Sequence, residues 1–466
     1  MENRKNKYFG TDGFRGEAGA GLTALHAYKI GRFLGWFYAS PLSGCMEAVY
    51  RVRALIGRDT RLSGDMLENA VCAGLCASGA DVYTLGVTTT PSVAYLAWQE
   101  GFDFGIMITA SHNPFCDNGI KIISRAGEKL CDEVTLLAEA YLDGDVQSLG
   151  VQGELPLAKG GRIGRVFGYG EGRARYAEYL RSLASYSYGG LRVGLDTANG
   201  AAYQIAKEVF LALGAKVEQI GAEPDGLNIN EACGSTHTEK LCALVREKGL
   251  SLGFAFDGDG DRCIAADENG NVCDGDKMLY IFAKSLCERG KLAHKTAVAT
   301  VMSNSGLDAA LSREGIELSQ TAVGDRFVYE RMQKNGFCLG GEQSGHIIFR
   351  EYATTGDGIL AAIMLADEVC RSGKPLSELA RPVVLYPQHT VNVRVRDKSA
   401  VIRDAAVLAA VKMAEDEIDG KGRVLLRESG TEPLVRVMVE CESEEKCREY
   451  AKGIAGVIAE RGGTHE

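Results

Sequence analysis

The sequence predicts an α/β protein: three successive mixed α/β domains and a smaller C-terminal α+β domain. Three observations lead there. A chain of 466 residues is too long for one compact core, and at roughly 150 residues per domain it calls for three or four. Short apolar runs of strand length alternate with helical periodicity in three successive blocks, the pattern of helices laid on a sheet. After Arg371-Ser372-Gly373-Lys374-Pro375 the rhythm changes to half-buried strands and fewer helices. The expected divisions are 1–156, 157–257, 258–373 and 374–466.

In the first block Thr23 reads as the N-cap of a helix reaching about Tyr38, with Leu25, Tyr28, Phe33 and Trp36 among its apolar positions. Ala54–Gly57, Val82–Leu85, Phe104–Ile108 and Gly119–Ile123 read as strands. Gly64–Ser78, Ser92–Gln99 and Glu133–Leu142 read as helices. The glycine-rich, weakly periodic stretch 149–172 closes the block. The second block runs through strands at 192–195, 216–220 and 252–256 with helices near 201–213 and 239–248. The third has helices at 278–289, 307–313 and 327–335 and strands at 296–301 and 338–340. In the last block strands at 389–395, 423–427 and 435–440 flank one helix over 400–417, and a final helix starts after Ser443.

Apolar residues at 45% and charged residues at 24% describe an ordinary folded protein. A net charge of −10 opposes general affinity for nucleic acid or an anionic membrane, so any phosphate ligand has to be held by local arginines. No apolar run approaches the ~20 residues of a membrane span, and the N-terminal residues lack the apolar core of a secretion signal. A cytoplasmic protein is the expectation. The 14 cysteines contain no CxxC pair and read as reduced thiols; Cys72 and Cys76, one turn apart, read as packing residues.

Four loops carry candidate chemistry. Thr109-Ala110-Ser111-His112-Asn113-Pro114 lies between two strands, at the C-terminal end of the first, where open α/β folds bind ligands. It displays a hydroxyl suited to covalent chemistry, though the same residues also make a good turn. Asp257-Gly258-Asp259-Gly260-Asp261-Arg262 follows an apolar strand directly. Three carboxylates at alternate positions, with glycines that let the loop curl, can converge on a hard cation. An EF-hand loop also begins D-x-D-x-D, but it requires glycine where Arg262 stands and helices where these flanks read as strands. Mg²⁺ is the expected ion, because three carboxylates leave positions for water and a phosphate oxygen. Asp267–Asn271 reads as a hairpin turn.

Gly341-Glu342-Gln343-Ser344-Gly345-His346 offers polar side chains on a flexible backbone, suited to hydroxyl or amine recognition or simply to a turn. Arg427-Glu428-Ser429-Gly430-Thr431-Glu432-Pro433, with Arg436 beyond, supplies cations, hydroxyls and backbone amides for a phosphate dianion. A plain hairpin connection is the alternative there. Near the N-terminus Arg15 follows a glycine-rich turn that could approach a ligand or face solvent.

Taken in order, these loops resemble those of the α-D-phosphohexomutase superfamily, whose members carry TASHNP, DGDGDR, GExSG and RxSGTEP motifs. The resemblance spans nearly the whole chain. It is strongest to the bacterial phosphoglucosamine mutases, through Phe9-Gly10-Thr11-Asp12-Gly13, Cys233-Gly234-Ser235-Thr236-His237, Val323-Gly324-Asp325-Arg326 and the Gly341–His346 loop. Phe14 stands where that family more often has valine, and Thr109 where it more often has serine.

The resemblance implies four domains around a central cleft and a serine, Ser111, carried as phosphoserine. It implies Mg²⁺ held by Ser111, Asp257, Asp259 and Asp261. His112, Lys121, Arg262 and Arg15 would serve catalysis. Glu342, Ser344 and His346 would hold the sugar, and Arg427, Ser429, Gly430, Thr431 and Arg436 its distal phosphate. The implied reaction interconverts glucosamine 6-phosphate and glucosamine 1-phosphate through a sugar 1,6-bisphosphate, supplying UDP-N-acetylglucosamine synthesis, in a monomer or homodimer. A phosphomannomutase or phosphoglucomutase is the alternative within the class. A sugar-phosphate phosphatase and a non-catalytic sugar-phosphate sensor are alternatives outside it.

Overall fold

The computed structural model describes residues 7–10, 12–40, 51–419, 422–428 and 433–462. The chain divides into two compact units, one of residues 1–302 and 314–381 and one of residues 303–313 and 382–466.

The larger unit holds three sheets. The first contains β1 (Phe9–Gly10), β2 (Gly13–Glu17), β3 (Arg53–Arg58), β4 (Asp81–Val87), β5 (Phe104–Ile108), β6 (Asp117–Ser124) and β7 (Val166–Gly168), in the order β1-β2-β6-β5-β3-β4-β7. Strands β5, β3, β4 and β7 run parallel, and β6 returns antiparallel to β5. Every residue of β5 is buried, as a strand covered on both faces must be. Its alternation divides the two cores: Phe104, Ile106 and Ile108 pack with Phe33, Leu34 and Leu67 on one side, Met107 with Val93 and Leu96 on the other. The first core is closed by helices α1 (Ala24–Ala39) and α2 (Gly64–Ala77), the second by α3 (Thr90–Gln99). Thr23 caps α1 as its position suggests, its hydroxyl accepting from His26 N while His26 Nδ1 accepts from Thr23 N.

The second sheet contains β8 (Arg192–Asp196), β9 (Lys216–Ile220), β10 (Leu252–Phe256), β11 (Cys263–Ala266) and β12 (Val272–Cys273), in the order β12-β11-β10-β8-β9. Strand β11 pairs antiparallel with β10, Phe256 opposite Cys263, so residues 257–262 are the connection of a hairpin. The sheet therefore runs through residue 257, where the sequence suggests a division, because the glycines of that loop reverse the chain onto its own strand. The third sheet, β14 (Glu317–Thr321), β13 (Thr296–Thr300), β15 (Leu339–Gly341), β16 (Ile347–Phe349), presents Glu342–His346 in its β15–β16 hairpin.

The smaller unit is an antiparallel sheet, β17 (Gln388–Arg394), β19 (Leu434–Cys441), β18 (Gly422–Glu428), packed on helices through Val437, Val439, Ile454 and Ile458. The single helix expected over 400–417 is two, Lys398–Ile402 and Ala405–Ile418. Asp404 makes the break, its Oδ1 accepting from Ala406 N at 2.8 Å and Val407 N at 3.3 Å, an N-cap that starts a new helix. Arg15, which the sequence places after a glycine-rich turn, lies within the strand Gly13–Glu17, whose pairing with β6 puts Phe14 opposite Ile120. All described cysteines are free thiols. Among the described residues no helix is long and apolar enough to cross a membrane.

Helices α1 and α2 cross at Gly31 and Gly74, where a Cβ on Gly74 would lie 2.1 Å from the carbonyl oxygen of Tyr28. Backbone cannot yield there as a side chain could. Gly74→Ala should therefore lower stability by about 1–3 kcal/mol, read as a lower urea midpoint at unchanged m-value.

Candidate active site

Ser111 follows the end of β5 with a φ of 53°, the left-handed region that a residue with a Cβ occupies only when its surroundings hold it there. It is 1% exposed. Its amide donates to Thr109 Oγ1 at 2.9 Å, and its Oγ donates to Asp257 Oδ2 at 2.6 Å. The serine loop of the first sheet thus meets the acidic loop of the second. A Cβ at Gly258 would lie 2.5 Å from the carbonyl oxygen of Ser111, so only glycine lets the two backbones approach this closely.

Asp257, Asp259 and Asp261 converge as the spacing suggests, each offering a carboxylate oxygen within 4.8 Å of the others, and all three are buried. Asp259 Oδ1 and Asp261 Oδ1 are buried with no hydrogen-bond partner, whereas buried acceptors in folded proteins are nearly always satisfied. Oxygen donors, negative charge and orphaned acceptors together fit a divalent cation. Lys121, on β6, supplies part of the balance, with Nζ 2.6 Å from Asp259 Oδ2 and 3.3 Å from Asp261 Oδ2. The backbone N–H of Arg262 donates to Asp257 Oδ1 at 3.1 Å.

The charges answer to this arrangement. Burial, reinforced by Asp261 and Asp259, pushes Asp257 well up. Burial works in the same direction on Asp261, but Lys121 and His346 override it and hold that carboxyl well below the usual range. Burial opposes the charge on Lys121, yet Asp259, Asp261 and Asp12 keep its pKa above the ordinary lysine value. His112, with Nδ1 3.4 Å from Ser111 Oγ, is pushed down to about 4 by burial and then by Arg262 and Arg15.

Arg15, on β2, pairs with Asp12 at 3.1 Å, and Lys129 bridges Asp12 at 3.0 Å and Asp325 at 2.7 Å. A cavity of about 230 Å³ opens along this network, lined by Gly10, Asp12, Lys121, Lys129, Asp261 and Asp325. Of the β15–β16 loop, Glu342 accepts from Gly324 N at 3.2 Å and Ser344 Oγ donates to Glu342 Oε2 at 3.4 Å, both side chains half-buried. His346 turns toward two carboxylates. It is 3% exposed, with Nδ1 3.7 Å from Asp261 Oδ1, Nε2 3.4 Å from Asp325 Oδ2, and Nε2 accepting from Gly356 N. The imidazole packs behind the acidic loop and braces it.

In the smaller unit Arg427 on β18 stands directly opposite Arg436 on β19. Burial and the charge of Arg436 lower the pKa of Arg427, so this cross-strand pair favours an anion. Ser429, Gly430 and Thr431 lie outside the described residues. Motif reading passes over Asp59, Arg61, Thr90, Asn230 and Lys129, all of which touch the serine loop, the acidic loop or Asp12. Asp59 and Arg61 had one signal: a charged cluster just beyond the apolar strand β3, the parallel neighbour of β5.

Against known proteins, residues 6–146, 174–270, 274–386 and 391–457 match, in that order, phosphoglucomutase/phosphomannomutase alpha/beta/alpha domains I, II and III and the C-terminal domain. A phosphoglucosamine mutase of Lachnospira eligens is 53% identical over 98% of this chain and 99% of its own. The chain belongs to the phosphoglucomutase/phosphomannomutase family. Another relative, phosphoglucosamine mutase of Bacillus subtilis, is 49% identical over 97% of this chain and 98% of its own. The family's fold recurs in a phosphoglucomutase/phosphomannomutase family protein from Burkholderia thailandensis, with TM-score 0.79 and 23% identity over 97% of both chains. It recurs in Aspergillus fumigatus N-acetylphosphoglucosamine mutase solved with GlcNAc-6P and magnesium, with TM-score 0.69 and 19% identity over 98% of this chain and 96% of that one. The chain is thus a phosphohexomutase-family enzyme of the isomerase class.

Lys129 neutralises two carboxylates from inside the network. Lys129→Met should cost about 2 kcal/mol, between the value of an exposed pair and that of a fully buried one, and should lower the melting temperature at neutral pH.

Proposed function

We propose that this enzyme interconverts glucosamine 6-phosphate and glucosamine 1-phosphate, with Ser111 as the phosphoryl carrier. The observation that carries the reading is the contact of Ser111 Oγ with Asp257 at the centre of the carboxylate triad. The choice of glucosamine over mannose or glucose is supported by the relatives of about half identity, which are phosphoglucosamine mutases.

Phospho-Ser111 would donate to the free hydroxyl of the bound sugar monophosphate. The bond from phosphorus to Ser111 Oγ breaks, one to the sugar oxygen forms, and the hydroxyl proton leaves to a base. The sugar 1,6-bisphosphate so formed turns over and returns its other phosphoryl group to Ser111. Asp257, Asp259 and Asp261, with a phosphoserine oxygen, would hold Mg²⁺, which when bound supplies the charge that lets a phosphate dianion sit beside three carboxylates. Lys121, Arg262 and Arg15 add positive charge around the moving group, and phosphoryl transfer is mainly positioning and charge stabilisation. Lys121 and His112 are the proton-handling groups nearest the triad and Ser111 Oγ.

Glu342 and Ser344 would meet the sugar, with His346 holding Asp261 behind them. Arg427 and Arg436 would hold the phosphate that is not reacting, together with Ser429, Gly430 and Thr431. Hexosamine phosphates are the partner ligands of this reading, and the phosphate pair has to accept either end of the sugar.

Purified enzyme should carry phosphate on Ser111 by intact mass, and Ser111→Ala should lose both the phosphate and nearly all turnover. Chelation of divalent metal should abolish activity and Mg²⁺ restore it. Glucosamine phosphate should exceed mannose and glucose phosphates in kcat/KM by at least about tenfold. A faster rate with either competitor would reassign the substrate, and steady release of inorganic phosphate would reassign the reaction. Arg436→Met removes a charged contact of a kind that contributes about 1.5–3 kcal/mol, so KM should rise roughly tenfold to a hundredfold.

A further inference from the structure

Arg61 is 1% exposed and its guanidinium spends every N–H on the serine loop and its support. Nε donates to Asp59 Oδ2 at 2.8 Å. One terminal nitrogen donates to the carbonyls of Ser111 and Asn113, each at 2.9 Å, and the other to those of Pro114 and Asp117. Five donors meet five acceptors, which is the full capacity of the group. From the second sheet's side, Asn230 Nδ2 donates to the same carbonyls of Ser111 and Asn113, at 2.9 and 3.1 Å. Asp59 Oδ2 also accepts from Thr109 Oγ1 at 2.6 Å, and Thr109 Oγ1 in turn accepts from the amide of Ser111. Both backbone groups of Ser111 are therefore fixed by side chains, where a strand would have fixed them by its ladder.

We infer that Arg61 and Asn230 are positioning residues of the phosphoryl transfer: gripping the Ser111 and Asn113 carbonyls from two sheets, they hold Ser111 left-handed and so aim its Oγ at Asp257. A serine that relaxed to negative φ would swing its Oγ away from the triad. The strained conformation persists only because its backbone is over-determined. The same grip turns carbonyl dipoles toward Arg61 and Asn230 and away from the phosphate. Misplacing a reacting atom by about 1 Å can cost a hundredfold in rate.

This inference rests on the mutase reading above, and the test separates the two. Wild-type enzyme is first assayed for phosphoserine by intact mass and for turnover of glucosamine phosphate; failure there is failure of that reading. Asn230→Ala then removes two donors without leaving a buried charge, and Arg61→Lys keeps Asp59 paired while losing the fork that reaches four carbonyls. Each variant is followed by thermal melt, kcat, KM and the ³¹P chemical shift of phosphoserine. The expected result is a folded Asn230→Ala protein with kcat down roughly tenfold to a hundredfold, KM within about threefold and a displaced ³¹P resonance. Arg61→Lys should fall at least as far. The proposal is overturned if Asn230→Ala keeps kcat within twofold and the resonance in place. It is also overturned if the loss falls on KM alone, which would mean substrate binding, or if Asn230→Ala does not fold, which would make the grip purely structural.

Discussion

Three carboxylates buried at the end of one strand repel one another, and everything around them is arranged to make that tolerable. Asp257, Asp259 and Asp261 cannot all be ionised in a poorly solvated loop without compensation, because burial penalises each charge and each penalises the others. Lys121 and Arg262 offset part of it. Orphaned oxygens on Asp259 and Asp261 show what the protein side chains leave unmet. A phosphate dianion on Ser111 would add to the repulsion, so the phosphoserine reading and the cation reading stand or fall together.

The α/β architecture is what permits the meeting. Parallel strands deliver their loops to one end, so β5 can present Ser111, β3 can present Asp59 and Arg61, and β10 can present the triad. The third sheet is tied to the same place, since Cys263 N, at the start of β11, donates to the carbonyl of Gly345 at 3.0 Å. The β15–β16 loop and the acidic loop are therefore one hydrogen-bonded assembly. His346 adds to the tie, with Nδ1 3.7 Å from Asp261 Oδ1 and Nε2 3.4 Å from Asp325 Oδ2.

Much of this is legible in the sequence, and the illegible part has a common cause. Strands β5 and β10 read off directly because buried strands are continuous apolar runs, and the four motif loops offer their candidate chemistry by composition. Arg61 and Asn230 do not declare theirs. An arginine after a strand looks the same whether it faces water or spends five hydrogen bonds on another loop, and the difference lies in long-range contacts. The inward turn of His346 is illegible for the same reason: its motif says polar loop, while the carboxylates beside its ring come from residues far away in the chain. Asp404 is the opposite case, a local N-cap hidden inside a plausible helical period, where capping outweighed the continuity of the apolar pattern.

The two candidate phosphate sites follow opposite electrostatic plans. Around Ser111 the fixed charges are acidic in excess: Asp257, Asp259 and Asp261 against Lys121 and Arg262, while Asp12 has Arg15 and Lys129 as its own partners. In the smaller unit Arg427 and Arg436 face each other across a strand pair with like charge. The second site favours any phosphate by itself, whereas the first favours one only when a cation is present.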